Sequence, residues 1–191
     1  MRPWAEYLNQ RGYTVKVSDL PGGRGDGTPM STLIEFQDGA KLAQAVSAHP
    51  DAKYLFANSG GYGFICQIAN AMTRQRAGKA FMSLEKGEIV LSPTPVRGDW
   101  VCAVSDNARV LVFPITEMKE QNGGRGIIVM GLDKDATLAA VAVPENEADL
   151  EIIGSGRGGR ETVVPVKPSQ RELWRHRRAR KGMALPNKIK P

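Results

Sequence analysis

The chain has 191 residues, with 26 Lys+Arg against 20 Asp+Glu and a formal net charge of +6. Its 41% of hydrophobic residues can form a core, and its 21 glycines and 12 prolines favour turns and short strands over long helices. It has no apolar signal region and no run of about 18 apolar residues, so we expect a cytoplasmic protein without a membrane contact.

The positive charge is concentrated near the C-terminus. Residues 151–191 hold 11 Lys+Arg and 3 Asp+Glu, whereas residues 1–150 hold 15 and 17. A basic segment on a near-neutral body suggests a polyanionic partner, of which nucleic acid is the commonest, although a solvated tail has the same composition. Cys66 and Cys102 lie in apolar runs and are expected in the core, and His49 and His176 complete no zinc site with them.

One pattern recurs along the chain. A β-rich run, a Gly/Asn/Asp turn and a second β-rich run are followed by a short connector, a basic glycine loop and another apolar strand. The glycine that closes each basic loop falls at positions 25, 78, 126 and 182, and the predicted hairpin turns are 10–12, 59–61, 106–108 and 156–159. Turns of this kind supply the positive φ of tight hairpins, and the spacing suits four-stranded blades rather than helical repeats.

A second hairpin is expected after each of the first three basic loops, with turns at 38–39, 86–87 and 133–135 and strands within 40–46, 88–91 and 136–143. The first repeat is predicted to lack its opening strand. A short exposed helix is expected over 170–178, with Trp174 in the basic tail. The predicted fold is therefore all-β, a propeller-like array of about four antiparallel blades in one domain. Its approximate blades are residues 8–48, 53–98, 99–148 and 149–185, and 186–191 form a tail; whether the ring is open or closed is undecided.

Other motifs favour structural roles. Residues 154–159 have a G-x-G-x-x-G spacing, but the β-branched, proline-broken sequence that follows favours a hairpin over a nucleotide site. The acidic residues between 133 and 149 lack a metal-ligand spacing, and no Ser/His/acid or Cys/His arrangement stands out, so we expect neither a metal nor independent catalysis. Aromatic residues alternate along the predicted strands and are expected to pack between blades.

The segment 61–64, Gly-Tyr-Gly-Phe, followed by 76–80, Arg-Ala-Gly-Lys-Ala, resembles a blade of the C-terminal domain of the A subunit of bacterial topoisomerase IV. The resemblance covers roughly residues 8–185, whereas residues 1–7 match nothing familiar. It implies a β-pinwheel whose blades exchange strands and whose basic rim bends DNA. The related gyrase A carries a Gln-Arg-Arg-Gly-Gly-Lys-Gly box, from which residues 74–80 depart at several positions; this favours topoisomerase IV and puts tight wrapping in doubt.

The resemblance also implies partners. They are double-stranded DNA, the B subunit of an ATP-dependent type II topoisomerase, and the rest of its A subunit, with no small-molecule substrate for this part. Mg²⁺ and ATP belong to the whole enzyme, whose catalytic residues lie elsewhere, and the domain needs no cofactor.

The basic loops are the predicted DNA-binding sites. Lys and Arg side chains release counterions when they dock on phosphates, and glycine lets the backbone approach them. The candidate residues are Arg24, Arg74, Arg76, Lys79, Arg125, Arg175, Arg177, Arg178, Arg180 and Lys181. Two alternatives are a protein-binding scaffold whose basic rim serves solubility and an RNA-binding β-repeat protein.

Overall fold

The computed structural model describes residues 4–22, 25–36, 42–146, 150–155 and 160–185, and residues 4–9 by their backbone alone. The strands are β1 (Trp4–Asn9), β2 (Arg11–Lys16), β3 (Gln44–Ala48), β4 (Lys53–Ala57), β5 (Tyr62–Gln67), β6 (Lys79–Ala80), β7 (Thr94–Pro95), β8 (Trp100–Ser105), β9 (Arg109–Pro114), β10 (Ile127–Ile128), β11 (Leu138–Ala142), β12 (Glu151–Ser155), β13 (Glu161–Pro165) and β14 (Met183–Ala184). The helices are α1 (Ile68–Ala71) and α2 (Pro168–Trp174), and three-residue 3-10 turns lie at Val17–Asp19, Met30–Thr32 and Ile115–Glu117.

Three four-stranded antiparallel sheets have the orders β3-β1-β2-β6, β10-β5-β4-β7 and β11-β8-β9-β14, and β12 pairs with β13. Each four-stranded sheet is built on one hairpin. The first hairpin strand pairs with a strand of its own repeat, and the second pairs with the short strand that follows the next basic loop. The blades therefore exchange strands, which confirms the expected all-β fold.

The strands that are apolar at successive positions bury both faces. On β4, Leu55 and Ala57 pack toward the third sheet, whereas Phe56 between them packs toward the first. On β8, Val101 and Ala103 contact the second sheet, and Cys102 contacts the fourth repeat. Because side chains alternate across a strand, this arrangement lets each central blade form a core with both neighbours. The expectation that both cysteines lie in the core is confirmed.

Three sequence predictions were wrong. The strand expected within 88–91 is reduced to an isolated bridge between Asn58 and Val90, and the strand that pairs with β4 is β7 instead. The first repeat does have an opening strand, because β1 pairs with both β2 and β3. The helix of the fourth repeat ends at Trp174 rather than at residue 178, and the side chain of Trp174 is buried against the third sheet instead of lying in an exposed tail. The predicted turns at 38–39 and 156–159 fall outside the described residues. No helix in the described ranges is long and apolar enough to cross a membrane.

Candidate nucleic-acid interface

The closing glycines of three basic loops occupy equivalent positions. Gly78, Gly126 and Gly182 have φ values of 64, 82 and 67°. A Cβ atom on them would lie 2.7, 2.2 and 2.3 Å from the carbonyl oxygens of Gly12, Gly63 and Val110, respectively. Each of these carbonyls belongs to the second residue of the second hairpin strand. Glycine is therefore required where the loop turns into its exchanged strand, because a side chain would meet backbone atoms.

Consecutive loops are also joined in series. The carbonyl two residues before each closing glycine accepts a hydrogen bond from the segment that follows the preceding loop. The three N···O distances are 3.0 Å for Glu35 to Arg76, 3.1 Å for Ser83 to Gly124 and 3.0 Å for Gly131 to Arg180. Each loop is thus linked through its backbone to the segment that follows the preceding loop. Residues 72–78, 119–126 and 175–182 are called here the second, third and fourth basic loops, and together the loop rim.

The second basic loop presents one free arginine and two engaged basic residues. Arg74 is exposed and has no hydrogen-bond or ion-pair partner among the described residues. Arg76 is exposed as well; its Nη2 donates to the carbonyl of Thr32 at 3.0 Å, and its Nε lies 3.8 Å from Glu35. The Nζ of Lys79 donates to the carbonyl of Asn70, so this lysine closes its own loop.

The fourth basic loop contains the largest group of positive side chains. Arg177 and Arg180 are exposed, and within the described part of the chain neither side chain has a partner. Together with His176 and Lys181 they line a concavity of about 690 Å³. Such a basic concavity can receive an anion of the size of a nucleic-acid phosphate.

The other two arginines of the fourth loop have internal contacts. The guanidinium carbon of Arg175 lies 4.1 Å from the ring centroid of Trp100, and its Nη1 pairs with Glu172. Arg178 donates from Nη1 to the carbonyl of Ile128, and its backbone N–H donates to Glu117 at 2.9 Å. These contacts fix the loop between the second and third sheets.

In the third basic loop the arginine is turned back into the fold. Arg125 donates through Nη1 and Nη2 to the two carboxylate oxygens of Glu88, at 2.9 and 2.7 Å, and lies 3.3 Å from Glu85. Its guanidinium carbon is 4.2 Å from the centroid of the Tyr62 ring. Burial alone would raise the pKa of Glu88, but the hydrogen bonds from Arg125 and from the Glu85 N–H outweigh it and hold that pKa below its usual value.

A similar ion pair links the fourth basic loop to the third repeat. Lys181 donates to Asp133 at 2.7 Å, and Arg109 contacts the other oxygen of the same carboxylate at 2.8 Å. The hydrogen bond from Lys181 lowers the pKa of Asp133, with Asn107 and Arg109 acting in the same direction. The third and fourth loops share this arrangement. The basic residue directly before the closing glycine, Arg125 or Lys181, pairs with an acidic residue, Glu85 or Asp133. Each acidic residue lies seven positions after the closing glycine of the preceding loop.

Two arginines that were not predicted as site residues support the rim. Arg11 donates to the carbonyls of Ala77 and Gly78 at 3.1 and 2.9 Å, and Arg109 donates to the carbonyl of Gly182 at 3.3 Å. Each begins the second strand of its hairpin, directly after the turn residue. This shared position in the hairpin could have marked Arg11 and Arg109 in the sequence, but its role in supporting the loops is evident only once the strand exchange is known.

Of the ten predicted residues, eight lie on the second, third and fourth basic loops, and Lys79 lies on β6 directly after the second loop. Arg24 falls outside the described residues. Gly25, next to it, has a φ of 100° and open space around it, and no strand after it pairs in the way that β6, β10 and β14 do within the described ranges. Among the described residues, no three His, Cys, Asp or Glu side chains are arranged to hold a metal ion.

Comparisons with known proteins agree with this architecture. The family model of the DNA gyrase C-terminal domain, a β-propeller, matches residues 99–145. The A subunit of DNA topoisomerase 4 from Neisseria gonorrhoeae is 35% identical over 189 residues, and the one from Pseudomonas aeruginosa is 29% identical over 184 residues; the matches cover 94% and 92% of this chain but 24% of each relative. The chain thus spans about a quarter of the length of these relatives.

The solved structure of the E. coli ParC C-terminal domain superposes with a TM-score of 0.84 at 23% identity, covering 100% of this chain and 80% of that domain. Together with the strand exchange and the repeated loops, these matches show that the chain belongs to the family of C-terminal domains found in gyrase A and in the topoisomerase IV A subunit.

Proposed function

We propose that this chain is a non-catalytic domain of the topoisomerase IV A subunit that binds and bends double-stranded DNA along the loop rim. The observation that carries the proposal is the pair of exposed basic groups, Arg74 with Arg76 and Arg177 with Arg180, on loops that backbone hydrogen bonds join in series. A row of such groups matches a duplex, whose phosphates repeat along a continuous path.

The chemistry favours contact with the DNA backbone rather than with bases. Arginine releases condensed counterions when it neutralises a phosphate, and this term is independent of sequence. Phosphate contacts position a duplex, and a curved row of them can bend it without base readout. The short loops end on tightly packed glycines and present no helix or ribbon that would enter the major groove.

The topoisomerase IV assignment rests on the relatives and on the second basic loop. The Neisseria and Pseudomonas relatives are both topoisomerase IV proteins, each aligned with more than nine-tenths of the chain. Residues 74–80, Arg-Gln-Arg-Ala-Gly-Lys-Ala, have glutamine in place of the first arginine and alanine in place of the first and last glycines of the gyrase A box. We therefore favour limited bending over complete wrapping.

In the whole enzyme the domain would guide DNA to an active site formed by other parts of the A and B subunits. Mg²⁺ and ATP would act there, in the decatenation and relaxation of bacterial chromosomes. The domain would accordingly work in the cytoplasm at the nucleoid. Its own role would be to hold a DNA segment at a fixed angle to the catalytic core.

A binding titration with random-sequence duplex tests the proposal. We expect the logarithm of the binding constant to fall linearly with the logarithm of salt concentration, by about 0.9 per phosphate contact for each tenfold increase in salt. Single-stranded RNA should compete less well than duplex DNA. Absence of binding at moderate salt would favour the protein-scaffold alternative, and stronger competition by RNA would favour the RNA-binding one.

Bending is measured separately. Relaxed plasmid incubated with the chain and a nicking-closing enzyme should acquire a shifted distribution of linking numbers, because a bound bend that writhes the DNA is trapped on closure. An unshifted distribution at saturating protein would contradict bending of that kind while leaving binding intact.

A further inference from the structure

The three described basic loops differ in where they carry positive charge. The second and fourth loops have arginine both four and two residues before the closing glycine, namely Arg74 and Arg76 in one and Arg178 and Arg180 in the other. The third loop has Asn122 and Gly124 at those positions. Its arginine, Arg125, stands instead directly before the glycine.

In the third and fourth loops, the basic side chain directly before the glycine forms an ion pair with an acidic residue of the preceding repeat. In the fourth loop it is Lys181, which pairs with Asp133. In the third it is Arg125, whose side chain is 26% exposed and whose partner Glu88 is 13% exposed. By contrast, the arginine two residues before the glycine is exposed in both loops that have one.

Moving Arg125 onto a phosphate would require several losses together. Its two parallel hydrogen bonds to Glu88 would break, its contact with the Tyr62 ring would open, and the largely buried Glu88 carboxylate would be left without its counter-charge. Bidentate arginine–carboxylate pairs are among the stronger charge-assisted interactions, and an unpaired buried carboxylate is costly. A solvated phosphate contact does not compensate for these losses.

We propose that Glu88 is a specificity-determining residue that withholds Arg125 from DNA, so that the third basic loop offers no arginine to DNA between two loops that do. DNA then contacts the arginines of the second and fourth loops and passes the third without an arginine contact. This inference rests on the proposed DNA binding and refines it: the duplex is held at two separated regions instead of along an unbroken basic surface.

The test is a double-mutant cycle at the ion pair, measured as salt-dependent affinity for random-sequence duplex. Glu88→Gln keeps the shape of the side chain and frees Arg125; we expect a several-fold gain in affinity and a salt slope steeper by about 0.9. Arg125→Gln alone should leave affinity and slope unchanged. The combined Glu88→Gln/Arg125→Gln variant should lose the gain, because it depends on Arg125.

Glu85→Gln provides a second variant that leaves the Glu88 pair in place. The Glu85 side chain is 74% exposed and 3.3 Å from Arg125, so its loss should be tolerated by the fold. Affinity should stay unchanged in this variant, because Glu88 still holds Arg125. Thermal unfolding of each variant shows that the compared proteins are folded. Should Glu88→Gln fail to fold, the comparison of Arg125→Gln with Arg74→Gln decides the matter.

Two results would overturn the inference while leaving the proposed function standing. One is a loss of affinity in Arg125→Gln as large as that in Arg74→Gln, which would mean that Arg125 already contacts DNA. The other is a gain in Glu88→Gln that persists in the combined variant, which would mean that removal of a negative charge suffices. If the unaltered chain does not bind DNA, the proposed function itself fails.

Discussion

At the scale of single residues, some basic side chains of the rim are held in internal contacts and others are free in solvent. Lys79, Arg125 and Lys181 hold loops to neighbouring segments. Arg74, Arg177 and Arg180 have solvent around them and, in the described part of the structure, no partner. Paired groups are already neutralised, so we expect the free arginines to dominate the electrostatic part of DNA binding.

The closing glycines offer a residue-scale prediction. Gly126→Ala places a Cβ atom 2.2 Å from the carbonyl oxygen of Gly63 and forces alanine to a φ of 82°. We expect a loss of about 2 kcal/mol or more in the free energy of unfolding, since left-handed backbone and a backbone clash add. Urea denaturation measures the loss.

Gly22→Ala is the matched control for that substitution. Gly22 has open space around its Cβ position and no strained backbone, so the change should alter stability by no more than about 1 kcal/mol. Equal stability of the two variants would show that the packing at Gly126 is not restrictive.

At the scale of elements, a helical turn follows each hairpin and sets the start of the basic loop. The turns are Val17–Asp19, α1, Ile115–Glu117 and α2. The last is the longest, and its final residue, Trp174, packs with Cys102, Val112 and other residues between the third sheet and the fourth repeat. The fourth basic loop begins directly after this anchor, so its position depends on the packing of the indole.

Trp174→Ala should therefore affect both stability and DNA binding. Truncating a buried tryptophan costs about 3–5 kcal/mol, and here it also loosens the origin of the loop that carries Arg177 and Arg180. Leu173→Ala, next to it but 60% exposed, should change stability by about 0.5 kcal/mol or less and leave binding intact. Thermal melts and duplex titrations of the two variants check this, and equal behaviour would contradict the anchoring role.

The sequence predicted the repeat but not the pairing of its charges. Glycines at a blade-length spacing, each preceded by basic residues, were enough to place the loops in phase, because strand exchange imposes one backbone geometry at Gly78, Gly126 and Gly182. Which arginines are free depends on acids far along the chain: Glu88 is 37 residues from Arg125. The burial of Trp174 was missed because basic residues surround it in the sequence.

At the scale of the whole molecule, the exchanged strands and the loop links have one consequence. Each four-stranded sheet is completed by a strand of the following repeat, and that strand emerges from a basic loop. Loop positions are thus tied to the stacking of the blades, and a bend in bound DNA would follow the angle between sheets. We expect a rim built in this way to act as a rigid template, which would lower the entropic cost of binding a long duplex.

The most direct measurement compares the salt slopes of duplex binding for Arg74→Gln, Arg177→Gln/Arg180→Gln and a control, Arg97→Gln. Arg97 is also exposed but lies beside Val143, after β11, at the opposite edge of the third sheet from β14. We expect slopes reduced by about 0.9 for the single variant and by up to about 1.8 for the pair, with no change in the control. Equal slopes in all three variants, or a reduction in Arg97→Gln alone, would contradict the assignment of DNA binding to the loop rim.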